Sequence, residues 1–381
     1  MARWRRRLVG MAARLEERTD AIRREAGRRL APPRRLEIVP YAGFGSSAGA
    51  RLKGRVLEAE TIGESRVDAG PWENLASAWR RLETDEVVGA RVAANHDGRV
   101  HVATTDLEGF FTLDLGPMTH TEDELRWVSV PLEIIDPPSL DGEPVTATGR
   151  VLMAPRTAGY GVISDVDDTV LHTEATALLR MARHTLFGNA RTRLPVPGMP
   201  ALLTALARGA QGGKLRNPVF YISSSPWNLY HLIVEFFQLQ EIPAGPLLLR
   251  DWGLTSDTRL AGRHHDHKLA AIERVMAELP GLPFLLIGDS GQEDPEIYRE
   301  VVRRHPGRIQ AVYIRRVRRD VDRDRAVALL ADEVHAAGSE LLVTDDARGA
   351  ARHAAERGWI AAEAVNVIDR AATKGAARPR A

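Results

Sequence analysis

The chain has 381 residues, 44% of them hydrophobic, enough to bury a sizeable core and, at roughly 100–200 residues per domain, to suggest two domains. Its 52 basic and 51 acidic residues leave a net charge of +1, so no overall field points to nucleic acid and no such partner is expected. Cysteine is absent, which excludes disulfides and thiolate metal sites; no apolar run approaches the ~20 residues of a membrane span, and a cytoplasmic protein is expected.

Residues 1–35 read as a basic amphipathic helix: Trp4, Leu8, Met11, Leu15 and Ile22 recur at spacings of three, four and seven among many Arg, until Pro32-Pro33 ends the pattern. Such a helix suits either an anionic membrane surface, giving a peripheral location, or packing on the β domain or a second copy, which leaves homo-oligomerisation open. From 36 to 155 the pattern changes to short alternating runs such as Val128, Val130, Leu132 and Ile134. Turn signals such as Asp97-Gly98 and Asp136-Pro137-Pro138 separate them, so a small antiparallel β domain of sandwich type is expected. From 156 to 345 continuous apolar runs at 160–164, 219–222, 284–287 and 311–314 alternate with helical stretches, the pattern of an α/β fold with a parallel sheet covered on both faces. Residues 346–381 are expected to form a C-terminal helix and, from about Ala371, a disordered tail.

Ligands of parallel sheets sit at the carboxyl ends of the strands, so the polar residues just after those runs carry the chemistry. After the first run comes Asp165-Val166-Asp167-Asp168-Thr169. One carboxylate there can attack phosphorus, and a second, two residues on, can protonate the leaving oxygen and then activate water. Clustered carboxylates also make a hard oxygen site for Mg²⁺; the calcium-loop alternative lacks its Gly and distal Glu. After the second run, Ser223-Ser224-Ser225-Pro226-Trp227 offers hydroxyls and backbone amides to phosphoryl oxygens, and the sequence leaves open whether Ser223 or Ser224 ends the strand. Lys268, in His264-His265-Asp266-His267-Lys268, is read at a helix start. It is one of only four Lys, with 53, 214 and 374, so it marks a place for a compact charge on the phosphoryl group. The three His lack the spacing of a zinc site. After the third run, Gly288-Asp289-Ser290-Gly291-Gln292-Glu293-Asp294 adds two acids, with Gly288 read as permitting a sharp turn.

Two look-alikes are set aside. Gly45-Ser46-Ser47-Ala48-Gly49 spells a nucleophile elbow but leads into a strand-like run instead of a helix. Gly212-Gly213-Lys214 lacks both the first Gly and the Ser/Thr of a phosphate-binding loop.

In this order the segments match the four-motif signature of the haloacid dehalogenase phosphatases: DxDx(T/V), Ser/Thr after a strand, Lys at a helix start and GDxxxxD. Within that superfamily, ISDVDDTVLHT, YISSSPWNL, HKL and IGDSGQEDPEIY resemble the catalytic domain of the actin-patch phosphatidate phosphatase family, related to the lipins. Upstream, IVPYAGFG and LKGRVLEAE also resemble that family, so the resemblance spans about 38–345. It implies a Rossmann-like three-layer fold, Mg²⁺ as cofactor, and membrane-borne phosphatidate cleaved to diacylglycerol and phosphate; a phosphatase of a soluble phosphomonoester, which would share every one of these residues, and a non-catalytic lipid-binding module are the alternatives. The resemblance implies Asp165 as nucleophile, Asp167 as general acid/base, Thr169, Ser223 or Ser224 and Lys268 on the phosphoryl group, and Asp165, Asp167, Asp289 and Asp294 at the metal. Lipid-sensing relatives of the lipin domain lack the acid/base Asp, whereas Asp167 is present. The stretch between Asp167 and the second run, with residues 184–187, is too short for a large cap, so an open site is expected.

Overall fold

The structure is a computed structural model that describes residues 35–59, 86–118, 125–138, 142–167, 169–170, 196–250 and 260–376. The basic helix expected over 1–35 and the segment around 184–187 lie outside the described residues, residue 35 excepted.

Eight strands come first: β1 (Leu36–Pro40), β2 (Gly43–Ser46), β3 (Gly49–Glu58), β4 (Arg91–His96), β5 (Arg99–Thr104), β6 (Phe110–Asp114), β7 (Arg126–Asp136) and β8 (Thr146–Met153). The alternation read from the sequence sets their faces: along β7, Val130, Leu132 and Ile134 are buried while Ser129, Pro131 and Glu133 are exposed. Their ladders join in one sheet of eight, antiparallel throughout except between β2 and β8. Leu52, Val56, Val92, Phe111, Val130 and Leu132 give this region a core of its own. The G-x-S-x-G segment is the β2–β3 hairpin, with Ser46 opposite Gly49, and so is no nucleophile elbow.

Six further strands, β9 (Gly161–Asp165), β10 (Val219–Pro226), β11 (Leu247–Arg250), β12 (Phe284–Asp289), β13 (Ile309–Arg315) and β14 (Glu340–Thr344), form an all-parallel sheet in the order β11-β10-β9-β12-β13-β14. Numbered within the sheet this is 3-2-1-4-5-6, the doubly wound order. Helices α1 (Met199–Arg208), α2 (Tyr230–Leu239), α3 (Leu260–Glu278), α4 (Asp294–Arg304), α5 (Val321–Ala336), α6 (Ala347–Glu356) and α7 (Ala362–Ala376) accompany it. Adjacent strand residues divide between two cores: Val162, Tyr221, Leu285 and Tyr313 face one, Ile163, Phe220, Leu286 and Val312 the other. Burial on both faces is why these strands read as unbroken apolar runs. The outer strands β11 and β14 escaped the sequence reading because one is four residues long and the other only half-buried throughout.

The C-terminal region differs from expectation. It holds two helices instead of one, and α7 continues through the expected disordered stretch to Ala376, because Ile368 and Ala372 are buried in the packing with α1 and α6. The two sheets are also joined by side chains: Tyr41 and Phe110 pack on Trp227 with centroids 4.4 and 6.1 Å away, and the Ala42 amide donates to the Tyr230 hydroxyl at 2.9 Å. Among the described residues no helix is long and apolar enough to cross a membrane.

Candidate active site

The strand order reverses at β9, between β10 and β12, and crevices outside the carboxyl ends of strands at such a point are where doubly wound sheets bind ligands. The motif residues meet there. Asp165 is the last residue of β9 and Asp289 the last of β12; Asp294 opens α4, and Lys268 reaches in from α3. All four are at most 1% exposed. Lys268 Nζ lies 2.6 Å from Asp165 Oδ1 and 2.6 Å from Asp294 Oδ1. Lys268 is not at a helix start as expected: α3 begins at Leu260, because nothing in residues 260–267 but Gly262 opposes a helix, so the ammonium comes from the helix interior.

The loop after β12 fixes both of its acids through backbone amides. Asp289 Oδ1 accepts from the amides of Gly291 at 2.6 Å and Gln292 at 3.2 Å, and Asp294 Oδ2 accepts from the Asp289 amide at 3.1 Å. Gly288 permits this by close approach, not by the sharp turn read from the sequence. It has no positive φ, but a Cβ there would lie 2.6 Å from Asp294 Oδ2 and 2.8 Å from the Tyr298 ring.

Asp165, Asp289 and Asp294 present carboxylate oxygens within 4.8 Å of one another. Asp167 is outside that trio, its Oδ2 accepting a 2.7 Å hydrogen bond from Ser223 Oγ. Ser223 is buried and itself accepts from the Ser225 amide at 3.0 Å, whereas Ser224 is only half-buried on the same strand. Thr169 is fully buried, and its Oγ1 finds no partner among the described residues.

Burial pushes the Asp165 carboxyl upward; Lys268 opposes the rise and Asp294, Asp167 and Asp289 add to it, leaving it well above the usual carboxylate range. Burial alone would lower Lys268, but Asp165 and Asp294 outweigh it, and the ammonium is held above its ordinary value. A charged lysine beside an Asp165 carboxyl that still resists ionisation marks a site short of positive charge. Asp165 Oδ2 is likewise buried and accepts no hydrogen bond among the described residues. An all-carboxylate oxygen set with excess negative charge fits a hard divalent cation.

Residues 160–316 match the family described as "Phosphatidate phosphatase APP1, catalytic domain". This segment is similar to the APP1 catalytic domain. It contains every site residue named above. The chain is 29% identical over 157 residues to phosphatidate phosphatase APP1 of Saccharomyces cerevisiae, covering 41% of this chain and 26% of the yeast protein. It is 27% identical over 257 residues to an uncharacterized protein of Schizosaccharomyces pombe, covering 65% of this chain and 40% of that one. The chain therefore spans well under half the length of the curated relatives it matches. A carbohydrate acetylesterase from Xanthomonas citri aligns over 86% of this chain and 71% of its own, at 10% identity and a TM-score of 0.26, a likeness too slight to bear on the fold. One residue at the rim of this APP1-like site has no signal in the sequence: Arg323 on α5 grips the Asp289–Asp294 loop, 29 positions beyond the last motif residue, and only the folded chain brings it there.

Proposed function

We propose that this chain is a Mg²⁺-dependent phosphatidate phosphatase of haloacid dehalogenase type, releasing diacylglycerol and phosphate through a phospho-aspartyl intermediate at Asp165. The observation that carries the reading is the buried junction of Asp165, Lys268, Asp289 and Asp294 at the carboxyl ends of parallel strands, inside a segment similar to the APP1 catalytic domain. In this reading the eight-stranded region, folded over its own core, is the small β-sandwich domain preceding the phosphatase domain, and the enzyme works at the membrane surface that carries its substrate.

Asp165 Oδ2 is the nucleophile, since Oδ1 is held by Lys268. It attacks phosphorus while the bond to the glycerol oxygen breaks, and Asp167 delivers a proton to that oxygen, so diacylglycerol leaves neutral. Asp167, now a carboxylate, takes a proton from water as the water oxygen attacks the acyl phosphate; the phosphorus–Asp165 bond breaks and both side chains return to their starting state. The 2.7 Å bond from Ser223 orients Asp167 for both transfers, and Thr169 Oγ1 is a spare donor for a phosphoryl oxygen. Lys268 holds Asp165 and Asp294 in place and keeps one positive charge beside the developing negative charge of the transferred group. Asp165, Asp289 and Asp294 would hold Mg²⁺, which when bound neutralises repulsion between nucleophile and phosphate.

The test is phosphate release from phosphatidate in phosphatidylcholine vesicles and from a panel of soluble phosphomonoesters, with Mg²⁺ and with chelator. Turnover of vesicle phosphatidate that stops with chelator is expected. Mg²⁺-dependent turnover of soluble esters alone would overturn the lipid reading, and turnover of neither would overturn the enzymatic one.

A further inference from the structure

Both acids of the loop after β12 are aimed by that loop's own amides, so whatever fixes the loop's shape fixes the direction of the carboxylates. We infer that Arg323, on the first turn of α5, is a positioning residue that locks this loop and thereby sets the divalent-cation affinity of Asp289 and Asp294. The inference rests on the proposed metal site and goes beyond it in naming a residue outside the four motifs. Its guanidinium lies across the loop: Nε donates to the Ser290 carbonyl at 2.9 Å and Nη2 to the Gln292 carbonyl at 2.6 Å. The same group pairs with Glu296 on α4, Nη2 lying 3.0 Å from Oε2 and Nη1 against Oε1. On the loop's other side the Ser290 amide donates to the Arg315 carbonyl at 2.9 Å, and Ser290 Oγ accepts from the Val317 amide at 3.2 Å. The loop is thus held between the end of β13 and the start of α5, and Arg323 supplies the second grip.

Only arginine can make this grip. Two carbonyls and a carboxylate need donors fanned out in one plane, and a guanidinium has five, whereas an ammonium offers three from a single point. The simpler view is a surface ion pair: Arg323 and Glu296 are 27% and 34% exposed, and such pairs contribute little. A third view is purely electrostatic, since Arg323 senses the charges of Asp289 and Asp294. The electrostatic and positioning views predict opposite signs. Removing a positive charge near cation-binding carboxylates should tighten a divalent cation by Coulomb's law, whereas releasing the loop should loosen it.

The experiment titrates Mn²⁺ into the full chain by calorimetry and by electron paramagnetic resonance, for wild type, Arg323→Met, Arg323→Lys and Glu296→Gln, alongside thermal unfolding without metal. We expect Mn²⁺ affinity to fall about 10- to 100-fold in Arg323→Met and Arg323→Lys, the range of lost outer-shell partners, and to stay near wild type in Glu296→Gln. Arg323→Met binding as tightly as wild type, or more tightly, would overturn the inference. So would a loss in Glu296→Gln as large as in Arg323→Met, which would make the ion pair the operative contact. If Arg323→Met does not fold, Arg323→Lys decides alone, and wild-type affinity there overturns the inference. Wild-type chain that binds no Mn²⁺ overturns both the inference and the metal site, while wild-type binding without phosphatidate turnover overturns only the substrate.

Discussion

Replacing Gly288 by Ala adds one methyl group at the point where the GDSGQED loop folds back on its strand. The new Cβ would lie 2.6 Å from Asp294 Oδ2, 2.8 Å from Asp294 Cβ and 2.8 Å from Tyr298 Cε2, against an ordinary contact of 3.4 Å or more. Asp294 must therefore retreat by about 0.8 Å and the Tyr298 ring by about 0.6 Å. Neither can do so freely. Asp294 is tied to Lys268 at 2.6 Å and to the Asp289 amide at 3.1 Å, and the Tyr298 hydroxyl donates to the Ile287 carbonyl at 2.9 Å. Overpacking of this kind costs about 1–3 kcal/mol. A displacement approaching 1 Å in a site that depends on alignment costs turnover up to about 10²-fold. Urea unfolding followed by circular dichroism, with Mg²⁺-supplemented phosphate release on the same preparations, measures both. Gly159→Ala is the control: its Cβ meets only Asn217 Oδ1, at 3.9 Å, and its φ is not positive, so stability and turnover should match wild type or improve slightly. If Gly288→Ala behaves like Gly159→Ala, the close approach of α4 to β12 is not what requires a glycine there.

Asp165→Asn should abolish turnover, since an amide cannot form the acyl phosphate, whereas Asp167→Asn should trap labelled protein after acid quench; label in neither wild type nor Asp167→Asn refutes the covalent step. Lys268→Arg should lower kcat far more than it raises KM, because a planar fork replaces a compact ammonium lying 2.6 Å from two buried carboxylates, and an unchanged kcat would make the lysine a bystander. Lys268→Met should cost about 3–5 kcal/mol of stability by leaving those carboxylates uncompensated, with Mg²⁺ restoring part of it; equal urea midpoints for mutant and wild type would contradict this. Burial pushes the Tyr230 hydroxyl up to about 12, above the ordinary 10.0, with the Ala42 amide and Arg150 opposing. The folded chain therefore holds that proton longer, and the stability it contributes is present below pH 10 and lost between about 10 and 12. Tyr230→Phe should flatten the alkaline limb of stability, read from tryptophan fluorescence; an unaltered slope refutes it.

The site was more legible in the sequence than its support. Asp165, Asp289 and Asp294 could be found because each ends or follows a strand buried on both faces, and Ser223 because it follows the apolar run within β10; such strands appear as unbroken apolar runs. β14 lacks that burial and is invisible for that reason, whereas β11 is buried but only four residues long, too short a run to stand out. Local reading also mistook causes at a distance. The histidines before Lys268 are indifferent to helix and so hide that α3 has already begun, and a glycine at 288 suggests a turn because its true neighbours, Asp294 and Tyr298, are six and ten residues away. Neither serine ends the strand, since β10 runs on to Pro226; Ser223 is the one buried against Asp167, a difference that sequence alone does not show. Arg323 is the extreme case, since its partners are carbonyl oxygens, which every residue carries and no pattern of side chains reveals.

The seam between the two sheets bears on what counts as one inherited piece. The match to the catalytic family begins at residue 160, and the change of sequence pattern falls near 155, so the chain invites a cut there. Yet Val39, Tyr41, Leu57 and Phe110 share one core with Trp227, Tyr230 and Leu203, and Phe44, Leu152 and Ala154 share another with Phe220 and Ile163. A fragment begun at the boundary would bare both aromatic faces to water, Trp227 only four positions after Ser223. The unit that folds is thus longer than the unit that is recognisable. Transplanting this catalytic segment onto another scaffold requires carrying its upstream sheet with it, or building a substitute for the rings of Tyr41, Phe44 and Phe110.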